Sequence, residues 1–420
     1  MRRLRVLVVA PVLPHEDTPH AGGRYVLALE RELRQHADVV LLTRNTPSTR
    51  EAEPARRTLG LPYAMARRAR SPVVGALRRL GALVDDHLTR RDPGAASVTF
   101  VAEVLTDPRL RDLVRTADVV DLQWDEMVRL LPVLRLLNRG ARFVGTYHDV
   151  QSQRFERLAA SAPDPGDRDR YARGGRTARR REARLPARLH RVLTFSDKDA
   201  DLLRSARPEA RVTVVRPPLD GTRGRRTQDR DDTTDRSVGF VGYLARAENE
   251  DGLRWFLDEV WPLVRAGVPD ATLTVAGAGA SDALGSAVAA AEGVSLEGFV
   301  PDLEAFWAGR AAAVVPLRQG AGVKFKTVES LVAGVPTVAT GVGAEGVGPA
   351  EWFAAVVDDA GTMATELVRV LRDPSGARGR AAARAADVAR AFSSETFSTT
   401  VREVYVEDGR ESRVSAAGPP

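Results

Sequence analysis

Two lysines that stand two positions apart are the most informative polar side chains in the sequence. Lys324 and Lys326 lie within the stretch VVPLRQGAGVKFKTVESLVAGVPTVAT, residues 314–340. Apart from Lys198 they are the only lysines of a chain in which Lys and Arg together number 62. Such a pair in an arginine-rich chain indicates a place that needs compact ammonium groups rather than planar guanidinium groups. Two neighbouring ammonium groups are suited to binding an anion such as a phosphate.

The residues around the two lysines supply the other parts of a nucleotide site. Gly320 and Gly322 stand in the loop after an apolar strand, and a helix is predicted from near Lys324 to Gly334. Glycines let backbone N–H groups approach an anion closely, and the N-terminus of a helix favours negative charge. Glu329 lies about one turn into that helix, where its carboxylate can accept hydrogen bonds from two ribose hydroxyls. The stretch therefore predicts a site for a diphosphate and a ribose.

The elements that must position this group occur in two successive series. Short apolar runs alternate with amphipathic runs, a pattern typical of parallel strands that are buried on both faces and joined by helices. The predicted strands of the first half are residues 4–10, 38–43, 117–123, 142–148, 191–196 and 211–217. Those of the second half are residues 237–244, 271–277, 294–299, 311–317 and 335–340. We predict an α/β protein with two Rossmann-like domains that face each other across a cleft and bind ligands at the carboxyl ends of their strands.

A polar, charged stretch separates the two halves. Residues 220–236 read DGTRGRRTQDRDDTTDR, a composition typical of a linker. The predicted divisions are an N-terminal domain, a linker, a C-terminal domain, a helix that packs back on the first domain, and a disordered tail, at residues 1–218, 219–236, 237–390, 391–407 and 408–420.

These motifs together make the chain similar to glycosyltransferase family 4, whose members have the GT-B fold. The second half carries VGYLARAENEDGLRWFLDEVWPLV, then LTVAGAG, then VSLEGFVPDLEAFWAGRAAAVVPL ahead of the lysine stretch. The first half resembles the family in APVLPHEDTPHAGGRYVLAL, GTYHDVQ and TFSDKDADLL. The resemblance implies a retaining transferase that moves a sugar from a nucleotide-diphosphate sugar to an acceptor that the sequence does not name.

The resemblance also implies roles for residues of the second domain. Lys326 is expected to bind the donor diphosphate and to stabilise its charge as it leaves, assisted by Lys324 or Arg246. Glu329 is expected to hold the ribose. The other expected donor-binding residues are those of the glycine loop and of the segment that meets the nucleobase, namely Gly320, Ala321, Gly322, Phe299 and Val300.

In the first domain the resemblance implies that Gly22 and Gly23 let the first loop approach the donor phosphates. His148 is expected to be catalytic, through a hydrogen bond to a sugar hydroxyl or to the developing charge. A single histidine is more often structural, so that interpretation stays open for His148.

Three positions depart from the family pattern. Ala321 stands where many members have a second glutamate that contacts the donor sugar. The Arg and Lys that often follow the first strand of the second domain are replaced near Tyr243 and Asp251. These departures leave the identity of the donor sugar open.

The sequence predicts neither a metal ion nor a cofactor. With no cysteine in the chain, thiolate metal sites are excluded. Two DxD-like triplets, at 167–169 and 229–231, are expected in solvated, arginine-rich loops.

Positive charge is concentrated in two segments of the first half. Residues 56–91 hold nine Arg and two Asp, and residues 154–191 hold twelve Arg and five acidic residues. Such blocks suit an anionic or membrane-associated acceptor. Nucleic acid is not expected, because no aromatic residues are interleaved with the arginines to stack on bases. The apolar and basic stretch 65–88 fits either a core helix with a solvated arginine face or a helix at a membrane or acceptor.

No apolar run reaches the roughly 18 residues of a membrane span, and the first apolar run reads as a strand rather than a signal peptide. We therefore expect a cytoplasmic protein, peripheral to the inner membrane surface if its acceptor lies there. Two alternative functions stay open. One is a nucleotide-sugar epimerase on the same scaffold, and the other is a non-catalytic, transferase-like partner protein.

Overall fold

The computed structural model describes residues 2–18, 20–66, 72–92, 95–219 and 236–407, with the backbone alone for 72–79, 90 and 91. The chain divides into two compact units. Unit 1 comprises Met1–Val215 and Phe397–Pro420, and unit 2 comprises Arg216–Thr396. Most of the predicted linker and the predicted tail at 408–420 lie outside the described residues.

Unit 1 contains a parallel sheet in the order β3-β2-β1-β4-β5-β6-β7. Its strands are β1 (Leu4–Val9), β2 (Ala37–Leu42), β3 (Tyr63–Ala64), β4 (Val119–Gln123), β5 (Arg142–Tyr147), β6 (Arg191–Thr194) and β7 (Val212–Val214). The strand order reverses between β1 and β4, so the loops after these two strands diverge and leave a crevice at the carboxyl edge of the sheet.

Helices follow nearly every strand of unit 1. They are α1 (Ala21–His36), α2 (Pro47–Thr58), α3 (Pro72–Arg91), α4 (Val98–Thr106), α5 (Pro108–Thr116), α6 (Trp124–Val128), α7 (Leu131–Leu137), α8 (Gln151–Ser161), α9 (Pro165–Glu182) and α10 (Asp197–Ala206). A further helix, α19 (Ser394–Arg402), begins in unit 2 and belongs to unit 1 from Phe397 onward. Every residue of β4 is buried, because the strand lies in the middle of the sheet and is covered on both faces.

Unit 2 contains a second parallel sheet, in the order β10-β9-β8-β11-β12-β13. Its strands are β8 (Ser237–Val241), β9 (Thr272–Ala276), β10 (Val294–Gly298), β11 (Ala312–Val315), β12 (Thr337–Ala339) and β13 (Ala355–Val356). Here the order reverses between β8 and β11. The core of the unit packs around residues such as Phe256 and Trp261.

The helices of unit 2 are α11 (Ala247–Trp255), α12 (Trp261–Gly267), α13 (Asp282–Ala290), α14 (Leu303–Ala308), α15 (Phe325–Val332), α16 (Gly341–Ala344), α17 (Ala360–Arg372) and α18 (Pro374–Ala391). A π-helical turn, Phe256–Val260, joins α11 to α12. The predicted doubly wound fold is thus present in each unit.

The chain returns to unit 1 after α18. Phe397, Val401 and Tyr405 are buried there, and the Arg142 guanidinium donates to the Tyr405 carbonyl at 2.7 Å. Leu219, which the sequence analysis placed in the linker, is buried in unit 2, where its N–H donates to the Phe392 carbonyl at 2.8 Å.

One loop prediction was wrong. Asp167 and Asp169 lie in α9, not in a loop. The helix begins there because the Asp164 side chain accepts a hydrogen bond from the Asp167 N–H and Pro165 occupies the first helical position. The second triplet, at 229–231, lies outside the described residues.

Candidate functional site

The predicted nucleotide loop lies at the carboxyl end of β11, on one side of the point where the sheet of unit 2 reverses. Gly320 and Gly322 have φ of +115° and +71°, which only glycine adopts without strain. Lys324 then takes the N-cap position of α15, with no side-chain hydrogen bond to cap the helix. The positive end of the helix dipole therefore faces this loop.

The Lys326 side chain extends from the first turn of α15, after β11, toward the residues that follow β8, the neighbouring strand. Its ammonium donates to the Asn249 side-chain oxygen at 2.5 Å and lies 4.8 Å from the centre of the Phe240 ring. The Asn249 amide in turn donates to the carbonyl of Tyr243, at 2.7 Å, in the loop after β8. Strands β8 and β11 thus bring the two loops together through one lysine.

The charge of Lys326 is poorly stabilised where it stands. Burial, with smaller contributions from the positive charges of Lys324 and Arg246, lowers the pKa of its ammonium from 10.5 to about 7. The carboxylates of Glu248 and Glu329 act in the opposite direction but do not offset the burial. An anion that binds here would therefore restore the charged form.

The other predicted donor residues surround this lysine. Lys324 donates to the Gly322 carbonyl at 2.6 Å and has Glu345 at 3.9 Å. Glu329 is 3% exposed within α15. Arg246 occupies the N-cap position of α11 without a side-chain capping hydrogen bond, and its guanidinium is 3.5 Å from Glu248. We call Arg246, Glu248, Asn249, Lys324, Lys326 and Glu329 the Lys326 cluster.

Three further predicted residues lie on loops of unit 2. Phe299 and Val300 follow β10. The Phe299 side chain is 76% exposed, as expected of an aromatic ring that could stack on a base, while Val300 is half-buried against the core. Ala321 is half-buried between the two glycines of the loop.

In unit 1, His148 follows β5 and is enclosed by aromatic rings. It stacks on Trp124 with ring centres 3.6 Å apart, and Tyr25 and Phe195 meet it edge-on at 5.5 and 4.8 Å. We call Tyr25, Gln123, Trp124, His148 and Phe195 the His148 cluster. Burial lowers the pKa of the imidazole well below its usual value, with a smaller contribution from His20, so the ring is neutral at physiological pH.

Gly22 and Gly23 lie where a side chain would collide with neighbouring residues. A Cβ on Gly22 would lie 2.4 Å from the Trp124 ring and 2.9 Å from His148 Nδ1. A Cβ on Gly23 would lie 2.4 Å from Thr18 and 2.8 Å from His20, whose Nδ1 accepts the Gly23 N–H at 3.0 Å. The glycines thus allow the N-terminus of α1 to approach the His148 cluster.

Sequence reasoning missed Asn249, Trp124, Gln123 and Asp121. Trp124 has φ of +66°, which is rare for a residue with a Cβ and holds its ring over His148. A signal was present for Gln123 and Asp121, because two polar side chains that alternate in the buried strand VVDLQ are unusual. Nothing in the sequence pairs Asn249 with Lys326, which lies 77 positions away.

Metal ligands are not grouped in the part of the chain that the structure describes. Among those residues, no set of three or more His, Asp or Glu side chains could hold an ion. No helix of the described residues is long and apolar enough to cross a membrane.

Known proteins resemble both units. Residues 235–373, the larger part of unit 2, match the family model Glycosyl transferases group 1. A Klebsiella pneumoniae protein known as an uncharacterized 44.6 kDa protein in the cps region is 33% identical over 127 residues. That match covers 29% of this chain and 33% of the Klebsiella protein, so the chain spans about a third of the curated relative's length.

Solved structures match nearly the whole chain at low identity. HepE of Anabaena, in complex with UDP and glucose, superposes with a TM-score of 0.66 at 13% identity over 96% of this chain and 99% of its own. Sucrose-phosphate synthase from Thermosynechococcus elongatus superposes with a TM-score of 0.66 at 16% identity, over 99% of this chain and 100% of its own. TarM of S. aureus superposes with a TM-score of 0.65 at 9% identity, over 96% of this chain and 99% of its own.

The class that these findings define is the GT-B fold, with two Rossmann-like units of parallel strands. Within unit 2, residues 235–373 are similar to the glycosyl transferases group 1 family. Membership of family 4 within this class stays a prediction.

Proposed function

We propose that the protein is a glycosyltransferase that transfers a sugar from a nucleotide-diphosphate sugar with retention of configuration and without a metal ion. The observation that carries the proposal is the Lys326 cluster, which joins two lysines, a helix N-terminus and a buried glutamate at the reversal point of a glycosyltransferase-type domain. HepE, a structural relative, was solved with UDP-glucose, which supports a nucleotide sugar as donor.

In this proposal the cluster binds the donor and then stabilises its leaving group. Lys326 and the N-terminus of α15 would hold the diphosphate, while Glu329 would accept hydrogen bonds from the ribose hydroxyls. Negative charge grows on the diphosphate as its bond to the sugar breaks. Ammonium groups fixed beside that charge stabilise the transition state more than the ground state, which accelerates the reaction.

The His148 cluster is the part of unit 1 that we propose to contact a sugar. A neutral imidazole has one nitrogen that accepts and one that donates a hydrogen bond, so His148 can bind a sugar hydroxyl without adding charge. The sequence alone does not locate a pair of carboxylates that could act as nucleophile and acid. We therefore propose that the acceptor attacks on the face from which the diphosphate departs, which retains configuration.

A panel of nucleotide sugars tests the proposal through slow hydrolysis of the donor. A transferase releases nucleoside diphosphate and sugar, whereas an epimerase gives an isomer of the donor and a non-catalytic partner gives neither product. Lys326→Ala should slow release at least tenfold, since a charge-assisted contact is worth roughly 1.5 to 3 kcal/mol. Lys198→Ala, which removes the lysine of unit 1, is the matched control. Full activity in folded Lys326→Ala would refute the donor site.

We further propose that the acceptor is anionic. Unit 1 has a cavity of about 440 Å³ with four arginines in its wall. Arg129 and Arg181 are partly neutralised by Asp92, at 3.3 and 2.6 Å. Arg180 and Arg184 are exposed at its rim. Arg129 follows α6, the helix that begins at Trp124 of the His148 cluster.

Helix α3 adds an apolar surface to unit 1 and suggests that the acceptor lies at a membrane. Leu80 and Leu83 are 59% and 67% exposed. The helix packs against α4 through Asp85, which accepts from the Ser97 hydroxyl at 2.7 Å, so these leucines face away from the core. The side chains of Arg78 and Arg79, expected to dock an anionic surface, lie outside the described residues.

Binding to vesicles of anionic and neutral lipid, at low and high salt, tests this proposal. We expect binding to anionic vesicles that weakens steeply with salt, because the Debye length falls from about 10 Å at 0.1 M to about 3 Å at 1 M. Two variants should weaken binding to anionic vesicles. One is Leu83→Glu, and the other combines Arg180→Glu with Arg184→Glu. Leu263→Glu, an exposed leucine of unit 2, is the control. The proposal would be contradicted if the protein bound neither anionic nor neutral vesicles at low salt and turned over a neutral acceptor as fast as a charged one.

A further inference from the structure

A carboxyl group is buried in the middle of the sheet of unit 1, beneath the His148 cluster. Asp121 lies in the central strand β4, paired with Val8 of β1 and Val144 of β5, and its exposed fraction is 0%. Burying a carboxyl costs several kcal/mol unless hydrogen bonds compensate, so such a group is retained only with partners around it. The proposed chemistry does not use Asp121 directly.

The partners of Asp121 lead to His148 through one amide. The Gln123 Nε2 donates to Asp121 Oδ2 at 2.6 Å and to the Thr146 hydroxyl at 3.1 Å. The Thr146 hydroxyl is also 3.4 Å from Asp121 Oδ1. On the other side of the same amide, Gln123 Oε1 is 2.9 Å from His148 Nε2. Asp121 and Gln123 can act together because residues two apart share a face of a strand.

This arrangement fixes which way the Gln123 amide points. Both hydrogens of its NH₂ group are used, by the Asp121 carboxylate and by Thr146. While Asp121 is ionised, the flipped orientation would place the amide oxygen against the carboxylate, and two acceptors would repel each other. The oxygen must therefore face His148, and an oxygen can only accept. His148 Nε2 must carry the proton of the neutral ring, which leaves Nδ1 as the acceptor.

The acceptor nitrogen lies where the two glycines of α1 leave room. His148 Nδ1 is against Gly22, at the N-terminus of the helix that begins the first loop. A hydroxyl group that reached this nitrogen could donate a hydrogen bond to it. With the other tautomer, Nδ1 would carry a proton and could not accept.

Residues 397–407 cover the same carboxyl group. Tyr405 is fully buried, and its hydroxyl approaches Asp121 without the geometry of a full hydrogen bond. Phe397 packs edge-on against Tyr25 at 5.9 Å, and Tyr25 in turn meets the His148 ring. Burial raises the pKa of the Tyr25 and Tyr405 hydroxyls, and the charge of Asp121 raises them further. Both phenols therefore stay neutral beside the carboxyl group.

We propose that Asp121 is a positioning residue that orients the Gln123 amide and thereby holds the proton of His148 on Nε2. Asp121 touches no substrate and acts through His148 alone. The inference depends on the proposed function only for the use of Nδ1 as an acceptor for a sugar hydroxyl. The position of the proton is a property of the protein without substrate.

The direct test is nuclear magnetic resonance of the full chain with labelled histidine rings. The chain has six histidines, and a His148→Gln variant identifies the signal of interest. Measurement at pH 8 keeps Asp121 ionised, since burial raises its pKa to about 7. The groups that face it are Gln123, Thr146, Tyr25 and Tyr405, and His20 is the titratable neighbour of His148. We expect the proton on Nε2 in the unchanged protein and a large share on Nδ1 in Asp121→Asn.

Turnover gives a second readout that a merely structural role would not produce. Asp121→Asn should lower kcat roughly fivefold to tenfold, as expected for one lost hydrogen bond, with KM for the donor within about twofold. In a His148→Phe background the same substitution should have no further effect, because the two residues act as one unit. Asp118→Asn, which removes the ion pair with Arg2, is the control outside the network.

Asp121→Leu is the second variant if Asp121→Asn does not fold, because leucine is of similar size and offers no acceptor to the Gln123 amide. An unchanged tautomer in either folded variant overturns the inference, as does an equal loss of kcat with and without His148. A tautomer that moves in a protein without transferase activity would refute the proposed function and leave the role of Asp121 established.

Discussion

Donor binding should be coupled to a proton on Lys326. The pKa of this ammonium is about 7, since it is buried and has Lys324 and Arg246 as neighbours. A diphosphate binds the charged form, so binding raises the pKa and takes up a proton wherever the ligand-free lysine is neutral. Affinity should therefore be greatest below pH 7 and fall as the pH rises above it. At pH 8, about nine tenths of the ligand-free lysine is neutral, and affinity should be roughly tenfold lower than its limit.

Calorimetry with a nucleotide sugar measures this effect. A nucleotide sugar has no terminal phosphate to titrate near neutral pH, so the ligand's own charge is constant. Titrations at pH 6.5, 7.5 and 8.5, in buffers of different ionisation enthalpy, give both the affinity and the number of protons taken up. Lys326→Met should remove the dependence on pH. Lys324→Met should move it to higher pH, because one of the charges that lowers the pKa is gone.

The lysine count permits a direct check. Only Lys198, Lys324 and Lys326 would appear in a spectrum of the protein with labelled lysine side chains, and three single substitutions assign them. One signal should titrate near pH 7 and move upward when the nucleotide sugar is added. If all three titrate near pH 10.5, or if affinity does not change between pH 6.5 and 8.5, the description of the Lys326 cluster is wrong.

Three further predictions concern both units. Glu329→Ala should weaken nucleoside diphosphate binding by roughly 1.5 to 3 kcal/mol and Glu329→Asp by less, and unchanged calorimetric affinity in Glu329→Ala would make it only a buried helix residue. Turnover should survive excess EDTA, and a loss that Mg²⁺ or Mn²⁺ restores would show that a metal is needed. Gly22→Ala should lower the free energy of unfolding by about 1 to 3 kcal/mol because its Cβ would collide with Trp124. Gly285→Ala, which meets open space in α13, should raise it by about 0.5 to 1 kcal/mol, and equal thermal shifts in the two variants would contradict the crowding at Gly22.

The sequence was sufficient for the elements whose signals are local. Apolar runs predicted the eleven longer strands among the described residues, and the glycines before Lys324 predicted where α15 begins. The edge strands Tyr63–Ala64 and Ala355–Val356 were not predicted, because two residues carry no periodic pattern. Helix α9 was predicted as a loop because its many arginines suggested a solvated segment, and the N-cap at Asp164 was not recognised.

The individual residues of the nucleotide loop could be predicted from the sequence, but the contacts between distant residues could not. Lys324, Lys326 and Glu329 lie within one short stretch, so the type and spacing of these residues indicated their chemistry. Asn249 and Asp121 act through contacts that tertiary folding creates, at separations of 77 positions from Lys326 and 25 from Thr146. A single sequence contains no local signal for such pairs.

The return of the chain to unit 1 also orders events during synthesis. Phe397 and Tyr405 cover Tyr25 and Asp121, yet they emerge from the ribosome only after all of Arg216–Thr396. At about 5 to 20 residues per second, unit 2 takes roughly 10 to 40 s to translate. During that interval the nascent first unit has its strands but lacks the side chains that cover the central carboxyl group. Completion of the pocket around His148 is therefore delayed until Phe397 and Tyr405 have been synthesised, and a ribosome that stalls within unit 2 would present an N-terminal unit with part of its core uncovered to chaperones and proteases.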